Sequence, residues 1–328
     1  MNTVWLVAAL VGGVLGVAPV GDDPAPTAVD ASGSDSPEID KLWDFTDPAG
    51  TEAKFRALLP AAEGREKLSH RLQLLTQVAR ARGLQGRFDE AHATLDELEK
   101  VLARRPSRGL EAAHARYLLE RGRVFNSAGR PEDARPLFER AWDMRALYTG
   151  LDVYVIDAAH MMGIAAETPD QQIEWNRKAI AAAERTADDR ARRWLGPLYN
   201  NLGWTRHDRG EYAEALDLFR KALAFRQQRP AEEEPLRVAH WTVARAMRSL
   251  GRHDDALAMQ RDLAAQYERA GKVSGVVFEE IAECLHARGN PDEARPWFAK
   301  AYPELVKEGW EKWEPARVRR VRELGGVE

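Results

Sequence analysis

The most enzyme-like residues of this chain are Asp157 and His160. Three positions apart on a helix, they share a face, so the carboxylate can accept from the imidazole and fix its tautomer. That is half of a general-base arrangement. No serine or cysteine stands where it would complete a nucleophilic set, and burial in a helical core is the better reading of the pair. The single cysteine, Cys284, falls in the apolar pattern Ile281, Cys284, Leu285 and reads as a small core residue. The histidines at 70, 92, 114, 160, 207, 240, 253 and 286 are never three to five residues apart, so no helical zinc pair is predicted. There is no phosphate-cradling Gly-x-x-x-x-Gly-Lys-Ser/Thr loop and no Gly-x-Ser-x-Gly elbow. The reading is of a non-catalytic protein without metal or cofactor.

Residues suited to recognition are better represented, and a repeat aligns them. Gly86-Arg87-Phe88-Asp89-Glu90-Ala91 recurs in kind as Gly129-Arg130-Pro131-Glu132-Asp133-Ala134 and Gly210-Glu211-Tyr212-Ala213-Glu214-Ala215. Gly251-Arg252-His253-Asp254-Asp255-Ala256 and Gly289-Asn290-Pro291-Asp292-Glu293-Ala294 complete the set. The leading glycines are 43, 81, 41 and 38 residues apart. The doubled gap predicts a degenerate unit at Thr168-Pro169-Asp170, giving six units over roughly residues 68–305. Each reads as two helices. The glycine suits a left-handed helix end, and proline two positions on (Pro131, Pro169, Pro291) suits the next helix start. The second helix carries Ala134-Phe138-Ala141, Ala215-Phe219-Ala222 and Ala294-Phe298-Ala301. Small residues let helices approach, and the phenylalanine is expected to fill the groove between repeats.

These motifs resemble the tetratricopeptide repeat family. The best match runs from Tyr199 to Leu223, with Leu202-Gly203 in the first helix and Tyr212, Ala215, Phe219 and Ala222 in the second. The long period is similar to that of kinesin light chains. Leu42-Trp43-Asp44-Phe45, Asp157-Ala158-Ala159-His160 and Trp194-Leu195-Gly196 also resemble a bacterial subfamily of such proteins that carries no assigned activity. The resemblance implies an all-α, right-handed superhelical solenoid of antiparallel helix pairs. It also implies a concave groove lined by the first helix of each unit. Aligned on Tyr199–Asp208, the lining is expected to include Gln77 and Arg80; Glu120, Arg123 and Asn126; Tyr154, Asp157 and Met161. It continues with Asn200, Asn201, Trp204 and His207; Trp241, Arg245 and Arg248; Glu279, Glu283 and His286.

Arg123, Asn200, Asn201, Trp204, Trp241, Arg245 and Arg248 are the predicted partner-binding residues. Tryptophan and arginine dominate interface energetics, and arginine offers a bidentate fork to a carboxylate. Asn201 stands where carboxylate-clamp members of the family place an asparagine, but that clamp's lysines are missing. Trp204 and Trp241 are expected to be exposed side by side. The predicted function is a scaffold or adaptor that binds a protein or peptide in its groove. The alternative is a regulatory sensor that responds to a small ligand or peptide.

A net charge of −4 and the lack of a long basic block argue against nucleic acid as the partner. Arg317, Arg319 and Arg320 are read as a solvated face of the last helix. Leu42–Phe45 with a helix near 52–59, and Trp310 and Trp313 with a helix over 316–324, are expected to cap the two ends of the array. Residues 1–20 are almost purely apolar from Val4 to Val20 and suit a signal peptide or N-terminal anchor. Residues 21–37, rich in Pro, Ser, Asp and Ala, read as a disordered linker ahead of the repeat domain at 38–328. This predicts a periplasmic, secreted or membrane-tethered protein; a true start near Leu42 would leave it cytoplasmic.

Overall fold

The structure, a computed structural model, describes residues 39–64, 67–104 and 109–327. The predicted signal or anchor and the linker lie outside the described residues. Helices and turns make up the described chain, with no strand among them. α1 (Pro48–Leu58) comes first. The hairpins α2 (Leu68–Leu84) with α3 (Phe88–Arg104), α4 (Glu111–Ser127) with α5 (Pro131–Asp143), and α6 (Asp152–Ile164) with α7 (Pro169–Arg185) follow. After the single turn α8 (Asp189–Arg192) come α9 (Leu195–Asp208) with α10 (Tyr212–Gln227) and α11 (Glu233–Ser249) with α12 (His253–Arg269). The last hairpin is α13 (Gly275–Ala287) with α14 (Pro291–Lys307), followed by α15 (Trp310–Trp313) and α16 (Pro315–Gly325). The hairpins match the predicted units one for one, the degenerate unit included.

The turns form for the reason the sequence suggests. Gly86, Gly129, Gly210, Gly251 and Gly289 have φ between +74° and +80°, a conformation that costs other residues about 1–2 kcal/mol. Each lets the next residue reach back five positions, as Arg130 N does to Phe125 O at 2.9 Å, satisfying carbonyls the helix end would leave bare. The third hairpin has no such glycine. There Thr168 Oγ1 accepts from Gln171 N at 3.2 Å and caps α7, with Pro169 at its first position.

Packing within a hairpin rests on a small residue facing a ring. Phe138 and Phe219 are fully buried, flanked by Ala134 and Ala141 or Ala215 and Ala222. A Cβ on Gly203 would lie 2.5 Å from the Phe219 ring, and one on Gly122 would collide with Phe138 in the same way. The phenylalanine therefore plugs the gap inside its own hairpin, rather than only the groove between units. At the equivalent position of the fifth hairpin stands Gln260, fully buried, with neither amide atom hydrogen-bonded among the described residues.

The helices divide into two compact units, one running to Leu198 and one from Tyr199 onward. In the first, Ile39, Trp43, Phe55 and Ala62 form a core with Leu74 and Val78, so the predicted N-terminal cap is present. Trp43 stacks on Phe45 at 4.8 Å and meets Phe55 edge-on. In the second, Trp310, Val318 and Val321 join the core of Phe298 and Leu305 as the C-terminal cap. Trp313 does not: it is 46% exposed. Among the described residues no helix is long and apolar enough to cross a membrane.

Candidate functional site

In the second unit, first helices α9, α11 and α13 present side chains to one cavity of about 190 Å³, closed on its far side by α15 and α16. Trp204 comes from α9, Trp241, Arg245 and Arg248 from α11, Glu279 and Glu280 from α13, and Trp310, Glu314 and Arg317 from the cap. The spacing along α11 explains part of this. Positions 241, 245 and 248 lie four and three apart and so fall on one face.

Arg248 grips Glu280 with two bonds, Nε to Oε2 at 2.7 Å and Nη2 to Oε1 at 2.9 Å. Arg245 reaches the same carboxylate only through Nε, 3.1 Å from Oε1, and donates from Nη1 to Ser249 Oγ at 2.7 Å. Ser249 Oγ lies 2.9 Å from His207 Nε2. Arg317 covers Glu279, with Nε 2.8 Å from Oε1 and 3.1 Å from Oε2, and its guanidinium sits 4.4 Å from the Trp310 ring. Both glutamates are buried. Burial opposes each charge. At Glu280 the Arg248 and Arg245 guanidiniums outweigh it and hold the carboxyl below its ordinary value. At Arg248 and Arg317 the glutamates win in the same way and hold the proton more tightly. At Arg245 burial prevails, because Arg248 and Arg317 oppose its charge and Glu280 is shared, and its proton affinity falls.

Trp204 and Trp241 pack with ring centroids 5.7 Å apart. Both are only 5% exposed, against the expectation of exposed rings. Trp204 also meets Phe219 at 5.2 Å, so it is part of the repeat core. Each indole Nε1–H is buried and finds no acceptor among the described residues.

A second charged cluster lies in the first unit. Arg123 donates to Glu120 Oε1 at 2.9 Å and to both oxygens of Asp157. Arg80 sits over Trp43 and Phe45, at 5.1 and 5.2 Å from the ring centroids. Arg116 donates to Asp40 Oδ1 at 2.7 Å and to the Tyr154 hydroxyl at 3.2 Å. The Asp157–His160 pair is not coupled as a base. Asp157 is held by Arg123, and the buried His160 Nδ1 has no hydrogen-bond partner among the described residues. Burial pushes the His160 imidazolium down to about 4.

Three tetratricopeptide repeat family models match the chain, over residues 79–146, 198–229 and 282–300. Each falls on hairpins described above. This chain is a tetratricopeptide-repeat protein. Among solved structures it is similar to a variant of a Podosopora anserina kinesin light chain with nearly identical TPR-like repeats, at 16% identity and a TM-score of 0.51, over 61% of this chain and 98% of that one. BtubC (BKLC) from P. vanneervenii matches at 16% identity and a TM-score of 0.53, over 67% and 87%. Apo RapI matches at 10% identity and a TM-score of 0.61, over 82% and 76%. At such identities the likeness is one of fold. No curated protein matches the chain.

In this TPR protein the predicted binding residues do not form one set. Trp204, Trp241, Arg245 and Arg248 converge on the cavity. Asn200 and Asn201 are half-buried on α9 and do not line it. Arg123 belongs to the cluster of the other unit. Sequence reasoning missed Glu280, Trp310 and Arg317 as parts of the site. The reading of Arg317 as solvated is corrected: it is half-buried and pairs with Glu279, whereas Arg319 and Arg320 are exposed as expected, Arg320 in a surface pair with Glu283. The available signal was the matching of glutamates four apart on α13 with arginines three apart on α16. Cys284 is buried as expected, and burial pushes its thiol up to about 12. No group of three or more His, Cys, Asp or Glu residues is placed to hold a metal among the described residues.

Proposed function

We propose that this TPR protein is a non-catalytic adaptor that binds a protein or peptide segment at its first-helix faces, with the Trp204–Arg245 cavity as the principal contact. The fold itself is of the protein-interaction-scaffold kind. The observation that carries the finer reading is convergence: four predicted residues from two successive first helices line one cavity with an aromatic wall and an arginine only partly held. At about 190 Å³ the cavity is smaller than the roughly 300–1,000 Å³ of small-molecule sites. It has room for one side chain of a longer partner, which favours the adaptor over a metabolite-responsive regulator.

The test is capture from extracts of the source organism with the full chain and its Arg245→Met variant side by side. Arg245 is the right probe because Glu280 keeps Arg248 when it is replaced. Trp204→Ala is a poor one, since truncating a buried tryptophan costs about 3–5 kcal/mol and confounds binding with folding. A partner retained by the wild type and lost by Arg245→Met supports the proposal. Identical capture by both baits sinks it.

A further inference from the structure

Resting on the reading of this cavity as a binding site, we infer that its ligand group is a carboxylate, received by the Trp204 and Trp241 indole N–H groups together with Arg245. The argument is an inventory of donors and acceptors. Two buried indole N–H groups lack acceptors, which costs a protein about 1–3 kcal/mol each when nothing binds there. Arg245 uses Nε and Nη1 within the protein, leaving donors of its five-hydrogen fork unused. The buried acceptors are already committed, while the half-buried Glu314 is reached only at Oε2, by Arg317 Nη1 at 3.4 Å. Glu280 is gripped by Arg248 and touched by Arg245, and Glu279 is covered by Arg317. The site therefore has spare donors and no spare buried acceptor. A carboxylate brings only acceptors, whereas an amide would bring N–H groups that only the half-buried Glu314 is open to receive. The lining as a whole is balanced, three arginines against Glu279, Glu280 and Glu314, but Arg245 and Arg248 share the one carboxylate of Glu280, so the least neutralised cation is Arg245. Neither indole N–H is reached by solvent in the free protein, so a neighbouring side chain must move as the ligand enters. Arg245 holds Glu280 through one contact where Arg248 holds two, and is the one free to move.

The carboxylate has two sources, an acidic side chain and a chain terminus. The experiment follows the tryptophan indole N–H resonances of the ¹⁵N-labelled full chain, with Trp204→Phe and Trp241→Phe spectra to assign them. The probes are acetyl-Glu-N-methylamide, acetyl-Gln-N-methylamide and N-acetylglycine. Both indole resonances are expected to move downfield and saturate with a carboxylate probe at millimolar concentration, with the Gln probe at least about tenfold weaker. Whichever carboxylate probe binds more tightly names the source. Arg245→Met is expected to weaken binding about tenfold or more, and Glu314→Gln to tighten it severalfold by removing a like charge from the lining. An equal response to the Glu and Gln probes, or unmoved indole resonances up to about 20 mM of either carboxylate, overturns the assignment. If the probes fail but Arg245→Met still loses a captured partner, the cavity remains a binding site and only its carboxylate chemistry falls.

Discussion

His160 shows how much a single neighbour decides at the scale of one residue. Its sequence position beside Asp157 suggested a coupled pair, but Arg123 claims the carboxylate and the imidazole is left buried against Trp194, ring centroids 5.0 Å apart. Its proton affinity is depressed, from an unfolded value near 6.5 to about 4. Between those values the unfolded chain binds the proton and the folded chain does not. His160 thus stabilises the fold fully above about pH 6.5, and that contribution, up to about 3 kcal/mol, is lost as the pH falls toward 4. In His160→Phe, denaturant titrations at successive pH values are expected to show a shallower loss of stability across this window than in the wild type. Superimposable curves would mean the imidazole is solvated in solution.

At the scale of the element, the hairpin works because a small first-helix residue admits a large second-helix one. Gly203 facing Phe219 states the rule, and the fifth hairpin breaks it. There Ala244 is retained in the first helix, but Gln260 occupies the phenylalanine position and buries an amide with no partner among the described residues. Met has nearly the shape of Gln without the polar atoms. Gln260→Met is therefore expected to stabilise the protein by about 1–3 kcal/mol, read as a raised denaturation midpoint at constant slope. A lower midpoint would show that the amide is satisfied by water.

At the scale of the whole molecule, an array of hairpins needs ends that do not expose its core. The C-terminal cap does this through Trp310, Val318 and Val321, and Gly325 approaches so closely that a Cβ there would lie 2.7 Å from Ala299 N. It also supplies Arg317 to a buried glutamate, and removing one partner of such a pair costs about 3–5 kcal/mol. A chain ending at Glu308 is accordingly expected to exchange the amides of α13 and α14 about a hundredfold faster than the full chain, while those of α4 and α5 keep their protection. Equal protection of α13 and α14 in both chains would show that the cap adds no stability.

The array was legible in the sequence because it is built from local rules. A glycine that ends a helix, a proline or acid that starts the next, and alanines spaced by four and three are each fixed within a dozen residues, and repetition makes them visible. The inner position of Trp241, Arg245 and Arg248 followed from the same helical period. What the period could not decide was which side chains meet across helices. Glu280 and Arg317 lie 37 positions apart in the chain yet share one cavity, and whether an arginine faces water or a buried carboxylate depends on how the cap closes over the last hairpin. Nor could local pattern say that the two tryptophans are buried while their N–H groups go unanswered. Burial and hydrogen bonding are set by contacts between distant segments, so the repeats came from the sequence and the site came from the fold.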